Sequence, residues 1–261
     1  SMARVLAGCR LRRKKDSLDI GLPDKTRYAI PVELTESDIL YIGSVKDEIK
    51  ARFQARALEI EKQLLEDGVG DDEIQERVDR VLGAEAVTMA GALRVAVGRI
   101  KARHAKPLLE QMKEEGHIPV IFCAHEVVRE EMFQIATEVF GKGVLTGSGA
   151  TPAKERTRMV KHFQAGKVPA MVVTRAFREG ITLTRSARLI SVERFWIPAE
   201  EAQMEDRVHR RGQLHGVGIY YLMAPGTVDD VVDRIITWKE ESVARQEGSF
   251  QTRLVQWLRA A

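Results

Sequence analysis

Between Ile118 and Met223 the chain alternates short unbroken apolar runs with longer segments whose apolar residues recur every three or four positions. Short apolar runs bounded by turn residues are the pattern of strands buried on both faces. Ile118 to Ala124, Val144-Leu145, Ala170 to Thr174, Leu189 to Val192 and Ile219 to Met223 are the predicted strands. Val128, Met132, Ile135 and Val139 share one face of a predicted helix. Another helix is predicted after Thr151, with Thr151 as its cap, Pro152 at its first position and Gly166 as its stop. Thr227 and Asp230 have capping-box spacing before a helix bearing Val228, Val231, Val232, Ile235 and Ile236. Strands alternating with helices predict an α/β fold: a parallel sheet with helices on both faces and function at the carboxyl ends of its strands.

Upstream the period is different. Tyr28 to Leu34 alternates apolar and polar residues, as a half-exposed strand does. Thr35, with Asp38 three residues on and Leu34 and Ile39 as a hydrophobic staple, predicts a helix start. Ile42, Val45, Ile49 and Phe53 carry that helix towards Leu65, and Asp67-Gly-Val-Gly70 ends it. A second short helix is predicted on Ile74, Val78, Val81 and Leu82, a third from Ala84 to Val97, and a fourth from Pro107 to Glu115. The first three would form a helical insertion ahead of the sheet, and the fourth opens the alternating pattern of helix and strand.

Composition narrows the partners. The formal net charge of the 261 residues is only +3, so any nucleic-acid surface must be a local patch. Cys9 and Cys123, the only cysteines, offer neither a disulfide framework nor zinc spacing, which fits a reducing interior. No apolar run is long enough to cross a bilayer and no signal peptide is visible, so no membrane partner is expected. The expected location is intracellular: cytoplasmic in a bacterium or phage, nuclear in a eukaryote. Ser1-Met2 reads as a cloning remnant, with the natural chain, a piece of a longer protein, joining at or near Ala3.

Candidate chemistry concentrates in Gln203-Met-Glu-Asp-Arg-Val-His-Arg-Arg-Gly-Gln213. On a helix, Arg207 and Arg210 would share a face and offer fixed donors and permanent charge to a polyphosphate. The bland alternative is a solvated helix with ordinary surface pairs among Glu205, Asp206, Arg207, Arg210 and Arg211. Hydroxyls and glycines follow the predicted strands, as in Thr146-Gly-Ser148 and in the segment from Thr174-Arg175 through Gly180 to Thr184. Such groups can present O–H and backbone N–H donors to phosphates, although each alone is ordinary loop composition. Lys154, Arg156 and Arg158 read as solvated helix charges, His209 as a structural hydrogen bond, and Trp196 as a core anchor.

Taken in order, these motifs resemble the second RecA-like lobe of Swi/Snf-type superfamily-2 helicases. Thr174, Arg175, Ala176, Gly180, Ile181, Leu183 and Thr184 match the family pattern S/T-K/R-A-G-G-x-G-I-N-L-T. Glu193-Arg-Phe-Trp-Ile-Pro198 answers its D-x-D-W-N-P element, and Gln203 to Gln213 matches every fixed position of Q-x-E-D-R-x-H-R-x-G-Q. Leu11-Arg-Arg-Lys-Lys15 and Leu22-Pro-Asp-Lys25 are similar to the family's bridge between its two lobes. Val120 to Val128 looks nearest the annealing-helicase subgroup. Phe177-Arg178 stands where the family has paired glycines, and Thr182 where it has asparagine, which alters the loop's contacts with DNA and ribose.

The resemblance implies the C-terminal half of an ATP-dependent double-stranded DNA translocase. Residues 1–34 would be an inter-lobe bridge, 35–98 a helical region, 99–225 the RecA-like lobe and 226–261 a C-terminal helical brace. Arg210 would be the principal arginine finger, with Arg207 beside it, Gln203 orienting nucleotide or water, and Gly180 admitting the sugar-phosphate end of ATP. Thr146, Ser148, Thr174 and Arg175 would grip the DNA backbone. The sequence contains neither a G-x-x-x-x-G-K-S/T phosphate loop nor a D-E-x-H-type box, so Mg2+ would be held by a first lobe outside this chain. A non-enzymatic DNA- or partner-binding module that has lost the motor is the alternative, and an unrelated parallel α/β domain a third.

Overall fold

The computed structural model describes residues 21–177 and 180–241. The basic run Leu11 to Lys15, Cys9 and Arg178 lie outside the described residues. Strand β1 (Lys25–Pro31) opens the fold, followed by helices α1 (Glu36–Glu66), α2 (Asp71–His104) and α3 (Lys106–Glu114). Then come β2 (Val120–Cys123), α4 (Glu126–Phe140), β3 (Leu145–Gly147), α5 (Ala153–Gln164), β4 (Met171–Thr174) and β5 (Arg188–Ser191). Helix α6 (Pro198–Val208), β6 (Val217–Met223) and α7 (Val228–Glu241) complete it.

The six strands form one sheet in the order β1-β6-β5-β2-β4-β3, and every pairing is parallel. Period-two alternation places each strand's side chains on two faces. Ile121, Cys123, Val172 and Ile190 face a core filled by Val128, Met132 and Ala136 of α4 and Leu109 and Met112 of α3. Val120, Phe122, Met171, Val173 and Leu189 face the other side, against Met159 and Phe163 of α5 and Met204 and Val208 of α6. The expected parallel sheet covered on both faces is what forms. β1, the first strand in the chain, sits at an edge and pairs along its whole length with β6, the last.

A third core joins Ile42, Ile49 and Phe53 of α1, Leu82, Leu93 and Val97 of α2, and Val228, Val232 and Ile236 of α7. The box at Thr35 is present: its hydroxyl accepts from the Asp38 N–H, and the Asp38 carboxylate accepts from the Thr35 N–H. Ile39 is exposed, so the staple expected with Leu34 is absent. The short helix and the helix from Ala84 to Val97 are one element, α2, because Gly83 and its neighbours keep helical backbone. Thr151 does not cap α5. Its hydroxyl turns back to accept from the Ser148 N–H at 2.9 Å, and Pro152 takes the cap position. Gly166 and Gly116 do end their helices with positive φ, +71° and +72°. At Thr227 the box is shifted by one residue: its hydroxyl accepts from Asp229 N–H, while the Asp230 carboxylate accepts from Gly226 N–H. Among the described residues no single helix is long and apolar enough to cross a membrane.

Candidate functional site

The arginine motif starts on α6 and leaves it. Pro198 at the first turn favours the helix start, and α6 ends at Val208, with His209 outside helical geometry (φ −95°, ψ 75°). Arg210 and Arg211 therefore stand on the turn beyond the helix. The expected shared helical face is corrected. Convergence is achieved by the turn instead: Arg207 Nη1 donates to the Ile181 carbonyl at 3.2 Å, and Arg210 Nη1 approaches the same oxygen at 3.5 Å. Arg210 also reaches Thr182 Oγ1 at 3.4 Å, where the family has asparagine. These Arg210 contacts are long, and its side chain is exposed. Gln203 is exposed on the same helix, one turn before Arg207, and its carbonyl accepts from Arg207 Nε.

The segment from Thr174 to Arg188 supplies the opposing wall. Leu183 N–H donates to the Arg207 carbonyl at 2.8 Å, which fixes its path against α6. Gly180 is exposed with φ +68°, and no atom lies within 4 Å of where a Cβ would be. Backbone conformation, not space, demands glycine there.

Helix α6 is itself pinned by buried polar groups that composition disguises. Glu201, Met204, Glu205 and Val208 are its buried face. Glu205, fully buried, accepts from Lys25 Nζ (2.7 Å), Arg27 Nε (2.6 Å) and Nη2 (2.9 Å) and the Tyr221 hydroxyl (2.7 Å). Burial pushes its pKa up, but the Arg27 and Lys25 donors outweigh that and hold it below the ordinary value. His209 Nε2 donates to the Pro23 carbonyl at 2.8 Å, the structural hydrogen bond expected of it. Gln213 is buried and saturated: its amide donates to Ser186 O (2.7 Å) and Val208 O (3.0 Å) and accepts from the N–H groups of Leu214 and His215. The last motif position is thus a turn staple.

The proposed DNA grips lie at the other end of the sheet. Thr174 and Arg175, at the carboxyl end of β4, line an open groove with Ala124, Glu126, Gly149, Arg156 and Ala176. Arg175 is exposed, whereas Thr174 is buried. Thr146 and Ser148 sit beside this groove without lining it. The Thr146 hydroxyl accepts from Arg129, and the buried Ser148 hydroxyl accepts from the Ala150 N–H at 3.2 Å. Because α6 runs back towards the start of β6, the arginine pair is not among the carboxyl-end loops. The groove lies at the carboxyl ends of the strands, where function is expected, and the arginines do not. Lys154 and Arg158 are exposed, as expected, but Arg156 is half-buried and reaches the Ala176 carbonyl at 3.3 Å.

Sequence reasoning missed a carboxylate beneath the groove. Glu193, buried, accepts from the Ala124 N–H (2.9 Å), the His125 N–H (3.1 Å) and the His125 ring (2.5 Å). Burial raises its pKa, yet the His125 bond and the Arg94 and Lys101 charges win and lower it. Phe177 is buried against Gly147, where a Cβ would lie 2.5 Å from the ring. The bulky residue in place of the family glycine is therefore accommodated by a glycine on β3. Trp196 is a packing residue as expected, half-buried on the helical core with Arg94 4.7 Å above its ring.

The six-stranded parallel sheet covered on both faces is a RecA-like α/β fold, and two arginines converge on its crossover before β5. Residues 101–212 match the helicase conserved C-terminal domain. The matches support a C-terminal lobe of the Swi/Snf helicase type, the family that the sequence motifs resemble. It is 26% identical over 235 residues to the DNA annealing helicase and endonuclease ZRANB3 of Bos taurus, covering 88% of this chain and 20% of that protein. It is 34% identical over 134 residues to SNF2 domain-containing protein ENL1 of Oryza sativa subsp. japonica, covering 51% of this chain and 14% of that one. The Sulfolobus solfataricus SWI2/SNF2 ATPase core solved in complex with dsDNA superimposes with a TM-score of 0.64 at 19% identity, over 100% of this chain and 53% of the other. The chain spans a fifth or less of the length of these curated relatives.

Proposed function

We propose that this chain is the C-terminal half of an ATP-driven double-stranded DNA translocase. Arg207 and Arg210 would meet the phosphates of an ATP held on a partner RecA-like lobe of the same protein. The observation that carries this reading is the convergence of two guanidinium groups on one carbonyl oxygen, with Arg210 exposed and weakly held. Two like charges drawn together cost free energy, which a polyphosphate seated between them would return. Gln203 stands beside them, and Gly180 leaves the backbone open to the sugar-phosphate end. Among the described residues no cluster of His, Cys, Asp or Glu suits a metal ion. Mg2+, which would neutralise charge on the transferring phosphate, is assigned to the partner lobe by the family resemblance. Thr174 and Arg175 would hold the DNA backbone in the groove, with Thr146 and Ser148 ordering its rim.

The deciding experiment substitutes Arg210 in the full-length protein. Arg210→Ala should lower DNA-stimulated ATP turnover by on the order of 10³-fold or more. Its melting temperature should stay near that of the wild type, because an exposed arginine with long contacts contributes little to stability. Arg211→Ala, one residue further along the turn, should turn over ATP almost normally. Wild-type turnover in Arg210→Ala, or equal damage from both, would favour a binding module without a motor.

A further inference from the structure

The segment entering the lobe and the helix that carries the arginines are joined by a buried ionic contact. Lys25 and Arg27 lie on β1 and Glu205 on α6, 180 and 178 positions apart in sequence. The carboxylate sits two residues before Arg207, and His209, bound to the Pro23 carbonyl, sits immediately before Arg210. Arginine is thus flanked on both sides by side chains anchored to one short stretch, Pro23 to Arg27. The Val217 N–H adds a bond to the Asp24 carbonyl at 2.8 Å, so the turn beyond Arg210 rejoins the same stretch.

We propose that Glu205 and His209 are positioning residues that bolt the entering segment to the arginine helix, so that movement of the one reorients Arg207 and Arg210. This rests on the reading of those arginines given above. A fully buried carboxylate held by two cations and a tyrosine hydroxyl resists displacement, because moving it away from them would leave its charge uncompensated away from water. A tether pulling on Pro23 to Arg27 would therefore act on α6 together with the β1 edge of the sheet. If the same contacts serve only to hold an edge strand, loosening them costs stability and leaves turnover per folded molecule unchanged.

The test uses the full-length protein and three variants at the exposed end of the contact. Arg27→Met should lower kcat at least fivefold, with KM for ATP changed less than twofold, while Arg27→Lys should keep kcat near the wild-type value. Adding Glu205→Gln to Arg27→Met should lower kcat further, since it also loosens Lys25 and the Tyr221 hydroxyl. Hydrogen exchange at the amides of residues 207–212 should quicken in Arg27→Met. Unchanged kcat and exchange in a folded Arg27→Met overturns the proposal, as does a loss of fold in every variant, which would make the contact purely structural. Arg210→Ala, measured alongside, keeps the two readings apart. If it leaves turnover intact the arginine reading fails, and the exchange data alone decide whether the bolt exists.

Discussion

A single glycine shows how closely residues at the groove are matched. Gly147 lies in Thr146-Gly-Ser148, a stretch whose composition suggests phosphate contact, yet its role is to leave room for the Phe177 ring. Gly147→Ala should destabilise the lobe by roughly 1–3 kcal/mol, the usual cost of overpacking a filled core. Gly147→Ala with Phe177→Leu should recover part of that loss in urea unfolding. Full destabilisation in the double variant would show that the backbone, not the ring, is the obstacle. At this scale the sequence was legible wherever chemistry repeats a family motif, and least legible where a polar residue is buried. Glu205 and Glu201 occupy apolar-face positions beside Met204 and Val208, and that spacing was the available signal. A list of charges along a helix reads as a solvated face unless the partners, here Lys25 and Arg27, can be placed opposite it.

Among the elements, α1 and α2 illustrate anchoring by charge. The Asp38 carboxylate at the start of α1 bonds Thr35 and the His104 ring (2.9 Å) at the end of α2. Burial pushes its pKa up, but the Thr35 hydroxyl, His104 and the Thr35 N–H lower it from 3.8 to about 2. A carboxylate depressed in the folded state stabilises at pH above its unfolded value, and that contribution is lost as pH falls through the folded value. Between pH 4 and 2 the wild type should therefore lose stability faster than Asp38→Asn, by equilibrium unfolding at each pH. Parallel curves would remove Asp38 from the acid transition. Lys101 of α2 makes a deeper joint, fully buried, donating to Asp229 (2.7 Å) and to the Leu222 carbonyl (3.2 Å). Lys101→Met strands that carboxylate and should cost about 3–5 kcal/mol, read as a lower urea midpoint. Strand and helix order were legible because apolar period decides them. The fusion of two expected helices into α2 was not, since a glycine within a helix is a weak breaker that tertiary packing overrides.

For the molecule as a whole, the groove at the strand ends and the arginine pair beside the crossover are separate places on one lobe. The chain by itself should show no sustained ATP turnover, because its sequence has no phosphate loop. Its affinity for duplex DNA should be weak and salt-sensitive but with a shallow slope, since one lobe supplies few phosphate contacts and the net charge is only +3. Fluorescence anisotropy across a salt series measures this. Tight binding that ignores salt would mean direct recognition of bases. The class of fold was legible at this scale, and the edge position of β1 was not, because strand order in a sheet depends on contacts between segments far apart in the chain.

That edge position bears on how the protein is made. β1 leaves the ribosome before the other described strands of the lobe and finds its partner only when β6 appears, roughly 190 residues later. Until then its peptide groups have no ladder, and the buried seat of Glu205 is missing two of its cations. The nascent lobe must therefore hold an unpaired strand through most of its synthesis, a state open to mispairing and to chaperones. Docking of β1 on β6 must therefore await β6, and it brings Lys25 and Arg27 to Glu205 on the arginine helix. A lobe that fails this step would have a nearly complete core and no working site.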